Sequence, residues 1–176
     1  MINAYFGTTV TPFEPDLQLD HQLLPHQLQC FERIKEQSYM GGLTVIIGEP
    51  GTGKTLLKQA LFKLPQKQWH LIAINRSIHS WNSFLSLLCQ TLELPDKGTS
   101  ATLEKAAVAH ARQLNREGKR LIFIIDDAQL LPGDLLKQIR LLLEDFPKNR
   151  NLVLIGQPEL LKMLQRSDHQ DIRSRI

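Results

Sequence analysis

The sequence predicts a single α/β domain built on a parallel β-sheet. Short β-type runs alternate with amphipathic helical stretches along the chain of 176 residues, an order typical of parallel strands joined by crossover helices. The strand candidates are also continuous apolar runs, such as 43–48 (LTVIIG) and 121–125 (LIFII). Because such runs have no polar face to offer to water, both faces of the sheet should be covered by helices.

Glycine, proline and serine residues mark the expected boundaries of helices and strands. Gly41 and Gly42 end a first helix that begins at Pro25, and its apolar face is formed by Leu24, Leu28, Phe31 and Ile34. Further helices are expected over 53–64, after a Ser80 cap, over 100–117, from Pro132 and from Pro158. Strands are expected over 43–48, 69–75, 120–126 and 151–156. Residues 1–24 should form an extended segment packed on a core of residues 25–176.

Composition narrows the class of protein. No apolar run reaches the roughly 18 residues of a membrane span, and the N-terminus lacks the pattern of a secretion signal. Cys30 and Cys89 stand far apart with no CxxC pattern, so neither a disulfide framework nor a zinc site is indicated. We therefore expect a cytoplasmic protein.

The charge is unevenly distributed. Beyond residue 50 the chain carries nineteen Lys and Arg against twelve Asp and Glu. Such a balance suits contact with the phosphates of a nucleotide or a nucleic acid, and solvated helix faces give the same total.

A phosphate-binding loop is indicated between the first strand and the second helix. Residues 48–55 (GEPGTGKT) match the pattern of a glycine, four residues, then Gly-Lys-Ser/Thr. The glycines let backbone N–H groups converge on phosphate oxygens, and the helix N-terminus adds partial positive charge. Lys54 supplies a full charge to the β- and γ-phosphates. The candidate nucleotide-binding residues are Gly48, Glu49, Pro50, Gly51, Thr52, Gly53, Lys54, Thr55 and Leu56.

Two carboxylates follow the apolar strand at 121–125. Asp126, together with the Thr55 hydroxyl, is the candidate magnesium site, and Asp127 is the candidate for orienting or deprotonating the attacking water. The alternative is that both acids only cap the turn that follows.

These residues resemble a known family, the AAA+ ATPases. More narrowly, the sequence is similar to ATPases of the ExeA/GspA type, which are related to the transposition ATPases TnsC and MuB. The similarity rests on YFG at 5–7, GEPGTGKT at 48–55, IIDDAQLL at 124–131, LIGQPEL at 154–160 and IRSRI at 172–176. It implies ATP and Mg²⁺ as ligands and a P-loop fold of three α/β/α layers around a central parallel sheet.

The resemblance also implies roles for residues outside the phosphate loop. Gln157 falls at the sensor 1 position, which contacts the γ-phosphate or the attacking water, and the alternative is a simple turn residue. Asn75 closes the second strand where the family often restrains the catalytic acid, although a plain strand end is nearly as good an interpretation. Either Arg173 or Arg175 corresponds to the arginine finger that reaches a neighbouring subunit.

Two departures from the family pattern matter. Asp127 stands where many members have Glu, and its shorter side chain predicts slow hydrolysis. The family's strand and helical lid after IRSRI are also missing from this sequence. We therefore expect either a fragment or a sheet edge covered by a partner.

Three functions are compatible with this pattern. The first is a DNA-associated helper, an ATP-dependent homo-oligomer that grips duplex DNA and recruits a transposase, with basic candidates Arg112, Arg116, Lys119, Arg120, Lys148 and Arg150. The second is the ATPase domain of a type II secretion assembly protein that works with a membrane protein. The third is an ATP switch that scarcely hydrolyses. The basic balance favours the first.

Overall fold

The computed structural model of the protein describes residues 23–74 and 78–165. Across these two ranges no helix is long and apolar enough to cross a membrane. The helices are α1 Pro25–Met40, α2 Lys54–Phe62, α3 Trp81–Thr91, α4 Ser100–Arg116, α5 Gly133–Glu144 and α6 Pro158–Leu164. The strands are β1 Gly42–Ile47, β2 Trp69–Ile74, β3 Arg120–Ile125 and β4 Arg150–Gly156. The expected order of elements is therefore confirmed.

The four strands form one parallel sheet in the order β1-β4-β3-β2. Although β4 is last in the sequence, it lies between β1 and β3, with Ile47 paired to Gly156 and Ile125 paired to Leu154. The loops that follow β1, β4 and β3 therefore leave the sheet side by side, at the carboxyl-terminal ends of the strands.

Alternate residues of the strands enter two separate cores. Leu121, Phe123 and Ile125 pack in the core formed with α3, α4 and α5. Ile122 and Ile124 face the opposite way, into a core shared with α1 and α2. Five of the six residues of β3 are buried, as expected for a strand covered on both faces. The predicted three-layer α/β/α arrangement is confirmed.

Local signals set most helix boundaries. The Ser80 hydroxyl accepts a hydrogen bond from the Ser83 amide at 3.2 Å, which confirms the predicted cap of α3. Pro132 serves as the N-cap of α5, so this helix begins one residue later than the prediction placed it.

The predicted apolar face of α1 is partly wrong. Ile34 is buried, but Leu24 and Leu28 are 55% and 49% exposed. Gln27 is buried in their place, because its side chain hydrogen-bonds the phosphate loop. A polar contact across elements thus sets which face of the first turns of α1 is buried.

A buried polar contact joins α1 to the middle of the sheet. The Asn151 side chain, fully buried at the start of β4, donates to the Ile34 carbonyl at 3.1 Å and contacts the Thr44 hydroxyl at 3.0 Å. Because a buried amide without partners is costly, this contact fixes where α1 crosses β1 and β4.

Strand β1 lies at the edge of the described sheet. Leu43, Val45 and Ile46 are only half-buried, and each packs on one side against the cores. The apolar edge expected from the sequence is therefore present in the part of the chain that the structure describes.

His70 on β2 lies in a site that disfavours its charged form. Its Nε2 atom is buried without a hydrogen-bond partner among the described residues. Burial, and then the nearby Lys119 charge, lower the pKa of this imidazole below its ordinary value of 6.5. The unfolded chain therefore binds a proton more readily than the folded one, and acidification through the ordinary pKa range favours unfolding.

Replacing this imidazole should reduce the acid sensitivity of the fold. We expect His70→Gln to lose less free energy of unfolding than the wild type between about pH 7.5 and about pH 5.5, measured by urea denaturation. His79→Gln, which removes an exposed imidazole, is the matched control. An unchanged pH dependence in His70→Gln would contradict this account.

Candidate functional site

The loop between β1 and α2 is shaped by glycines. Gly51 and Gly53 both adopt φ +83°, a left-handed backbone conformation that residues with a Cβ atom rarely adopt. Gly53 is also the N-cap of α2, and a Cβ there would collide with the Gln27 amide. A Cβ on Gly48 would lie 2.5 Å from the Thr52 hydroxyl. The loop therefore requires glycine for conformation and for space.

Lys54 folds back over this loop. Its ammonium donates to the carbonyl oxygens of Gly48 at 2.6 Å and Glu49 at 2.8 Å. The Thr52 hydroxyl also donates to the Glu49 carbonyl, at 2.8 Å. A positive charge is thus held across the loop at the N-terminus of α2, the arrangement in which proteins bind phosphate.

Gln27 connects α1 to the same loop. Its side-chain oxygen accepts from the Leu24 amide at 3.0 Å, and its nitrogen donates to the Thr52 carbonyl at 3.4 Å. Only 5% of Gln27 is exposed. Sequence reasoning missed this residue, because its partner lies 25 positions away and no local pattern signals the contact.

A cavity of about 270 Å³ lies between α1 and the loop. Its lining includes His26 and Cys30 from α1 and Gly53 and Lys54 from the loop. A larger cavity, of about 340 Å³, opens at the opposite end of the same strands, beside Gly42 and Arg150. The chemistry of the lining, and not the volume, therefore identifies the cavity beside the loop as part of the site.

Asp126 meets a cation on the α2 side. Its Oδ2 atom lies 2.5 Å from the ammonium of Lys58, and both side chains are partly buried. Its amide donates to the Ile74 carbonyl at 3.3 Å, which ties the residue to the end of β2. Mg²⁺ takes one or two protein carboxylates together with phosphate oxygens, so Asp126 has the right chemistry for this ion, which would have to displace Lys58 from the carboxylate.

Asp127 adopts a left-handed conformation with φ +50° at the start of a short 3₁₀ helix, Ala128–Leu130. Its amide donates to the Asp126 Oδ1 atom at 3.0 Å, and its exposed carboxylate accepts from the Gln129 Nε2 atom at 3.1 Å. The Gln129 oxygen in turn accepts from the Gln157 amide at 3.1 Å. Gln129 thus joins the strand ends of β3 and β4.

The structure places the predicted residues that follow three of the strands together, at the carboxyl-terminal end of the sheet. Gly48–Thr55 follow β1, Gln157 follows β4, and Asp126 and Asp127 follow β3. Asn75, Arg173 and Arg175 lie outside the described residues, as does the segment predicted for 1–24 apart from its last two residues. Lys58 and Gln129 were not predicted, although Gln129 lies within the quoted motif at 124–131 and Lys58 lies three residues after the phosphate loop.

Comparisons with known proteins agree with this geometry. The sequence model of the family described as "AAA domain" matches residues 37–164. General secretion pathway protein A of Aeromonas hydrophila is 36% identical over 143 residues, which cover 77% of this chain and 26% of that protein. The chain therefore spans about a quarter of the length of this curated relative.

Two solved structures share the fold. The ORC2 protein of Aeropyrum pernix, solved as ADPNP-ADP complexes, has a TM-score of 0.66 at 17% identity and covers 92% of this chain and 47% of its own. Cdc6p of Pyrobaculum aerophilum has a TM-score of 0.65 at 21% identity and covers 97% of this chain and 47% of its own. Together with the phosphate loop and the family match, these findings show that the chain belongs to the AAA+ ATPases, of the ExeA/GspA type.

Proposed function

We propose that the chain binds ATP with Mg²⁺ and hydrolyses it slowly to ADP and phosphate. The observation that carries this proposal is the position of Lys54, whose ammonium is held by the Gly48 and Glu49 carbonyls at the same end of the sheet as the acids that follow β3. A phosphate chain entering this loop replaces two neutral acceptors by charged ones, which makes the exchange favourable for the ammonium.

The base and ribose are proposed to enter the cavity between α1 and the loop. This space adjoins Gly53 and Lys54, so a nucleotide with its phosphates in the loop reaches it directly. His26 and Cys30 then lie beside the nucleoside, and Gln27 holds the wall of the cavity against the loop.

The hydrolytic step is assigned to the acids. Asp126 and Thr55 are the proposed Mg²⁺ ligands, and the ion supplies charge neutralisation at the β- and γ-phosphates. Asp127 would orient the attacking water and accept its proton, and Gln157 would contact the γ-phosphate from the neighbouring strand end. The short side chain of Asp127 supports slow turnover.

Assembly is proposed to complete the site. An arginine, Arg173 or Arg175, would approach the γ-phosphate bound by a neighbouring copy, as the family resemblance implies. Asn75 would restrain the catalytic acid from the end of β2. Turnover per subunit should then rise with protein concentration, because the transition-state charge is stabilised only between subunits.

A role in secretion assembly is the second part of the proposal. The match to General secretion pathway protein A at 36% identity supports it. Among the candidates for DNA contact, Arg120 and Arg150 begin strands at the end of the sheet opposite the phosphate loop, and three of the six candidates have partners among the described residues of the fold. Arg120 stacks 3.9 Å from the Tyr39 ring centroid, Lys119 pairs with Glu117, and Arg150 donates to the Pro147 carbonyl. Arg112, Arg116 and Lys148 are exposed, so the basic residues do not decide between the two roles, and the secretion proposal rests on the sequence match.

Replacing Asp127 should slow ATP hydrolysis without weakening ATP binding. We expect Asp127→Asn to lower the turnover number by about 100-fold, because the amide cannot accept a proton, while ATP affinity stays within about twofold of wild type. Phosphate release is measured with magnesium across protein concentration, and Lys54→Ala supplies the blank. Unchanged turnover in Asp127→Asn, with ATP-dependent assembly intact, would favour the switch over the enzyme.

The same assay with plasmid DNA distinguishes the cellular roles. The secretion proposal predicts a rate per subunit that rises with protein concentration and is unaffected by DNA. A salt-sensitive stimulation by non-specific duplex would contradict it and favour the DNA-associated helper.

Lys58 should compete with Mg²⁺ for Asp126. We expect Lys58→Met to lower the magnesium concentration that half-saturates ATP binding by about fivefold, which corresponds to about 1 kcal/mol of ion pairing. Binding is followed by the fluorescence of a labelled ATP in the Asp127→Asn background, so that turnover plays no part.

Lys35→Met is the control for this measurement. It removes another lysine from a carboxylate pair, that with Glu32 at 2.9 Å on the exposed face of α1. A magnesium requirement that is unchanged or higher in Lys58→Met would contradict the proposed competition.

A further inference from the structure

We propose that Gln129 is a positioning residue that joins the catalytic carboxylate of Asp127 to Gln157, the residue proposed to contact the γ-phosphate. This inference rests on the proposed function and adds a residue to it. The side-chain amide of Gln129 uses both of its polar groups. Its nitrogen donates to the Asp127 carboxylate at 3.1 Å, and its oxygen accepts from the backbone amide of Gln157 at 3.1 Å. One planar group therefore spans the ends of β3 and β4.

The packing around Gln129 holds this amide in place. Gly156, the last residue of β4, approaches so closely that a Cβ there would lie 2.7 Å from the Gln129 oxygen. The 3₁₀ helix that carries Gln129 is anchored by Ala128, which is fully buried, and by a Leu130 amide that donates to the Asp127 carbonyl at 2.9 Å. The amide is thus confined between a glycine backbone and a tight turn.

Asp127 needs such a partner because its own surroundings do not hold its side chain. The residue is exposed, and its left-handed φ of +50° places it outside the strand that precedes it. A carboxylate on an exposed turn samples several rotamers unless a hydrogen bond selects one. The amide nitrogen of Gln129 supplies this bond, and its length is that of an ordinary hydrogen bond.

The same side chain links Asp127 to the residue that is proposed to contact the γ-phosphate. Gln157 is the N-cap of α6, and its carbonyl accepts from the Leu160 amide at 2.9 Å. The Gln129 amide therefore joins the Asp127 side chain to the backbone at the start of α6.

Two substitutions separate the two hydrogen bonds. Gln129→Glu keeps an oxygen that accepts from the Gln157 amide but has no hydrogen to donate to Asp127. Gln129→Met keeps the length of the side chain and loses both bonds. Gln113→Met is the matched control, because it removes an exposed glutamine that donates to Glu117 at 3.1 Å far from the site.

We expect both Gln129 variants to lower the turnover number by at least about tenfold while the KM for ATP stays within about twofold, because the acid is misplaced but the phosphate loop is intact. In the nucleotide-free protein, the ¹H–¹⁵N resonance of the Gln157 amide should move upfield in Gln129→Met and not in Gln129→Glu. Gln113→Met should leave both readouts unchanged.

Three results would overturn the proposal. Full turnover in Gln129→Glu would show that the bond to Asp127 is dispensable. A KM that rises in step with the loss of turnover would make Gln129 part of ATP binding. A Gln157 resonance that is the same in Gln129→Met and wild type would show that the second bond does not form. A wild-type chain without turnover would instead contradict the proposed function, and with it any catalytic role for Gln129, whereas the Gln157 resonance would still report whether the bridge exists.

Discussion

The parallel pairing of β4 between β1 and β3 is the constraint on which the candidate site depends. The ladder hydrogen bonds of β4 hold the phosphate loop on one side and the two acids on the other, with Gln157 between them. Strands β3 and β4 are buried in two cores and β1 is paired to β4, so the strand ends are held next to one another although the residues that follow them lie in loops. Ligand sites in open α/β sheets lie at this end of the strands for the same reason.

Three charged candidate residues at the carboxyl-terminal end of the sheet already have partners inside the fold. Lys54 binds carbonyl oxygens of its own loop, Asp126 pairs with Lys58, and Asp127 accepts from Gln129. The proposed binding of ATP and a metal ion would therefore be an exchange of partners at side chains that the fold already holds. Such preorganisation would lower the cost of binding.

The sequence predicts what is local or periodic. Continuous apolar runs give the buried strands, and the phosphate loop is a contiguous pattern whose glycines have a conformational role that the structure bears out at Gly51 and Gly53. The sequence does not predict contacts that depend on strand order. Gln27, Lys58 and Gln129 each meet a partner on another element, and the placement of β4 decides one of these contacts. The same cause explains why the buried face of α1 includes Gln27 and excludes Leu28.

The most direct test of the central claim is a crystal structure of the chain with Mg²⁺ and a non-hydrolysable ATP analogue. If the strand ends form one site, the Lys54 ammonium will have left the Gly48 and Glu49 carbonyls for the phosphates, and the γ-phosphate will lie between the loop and the acids that follow β3. An analogue bound elsewhere, with Lys54 still on the loop carbonyls, would contradict the account.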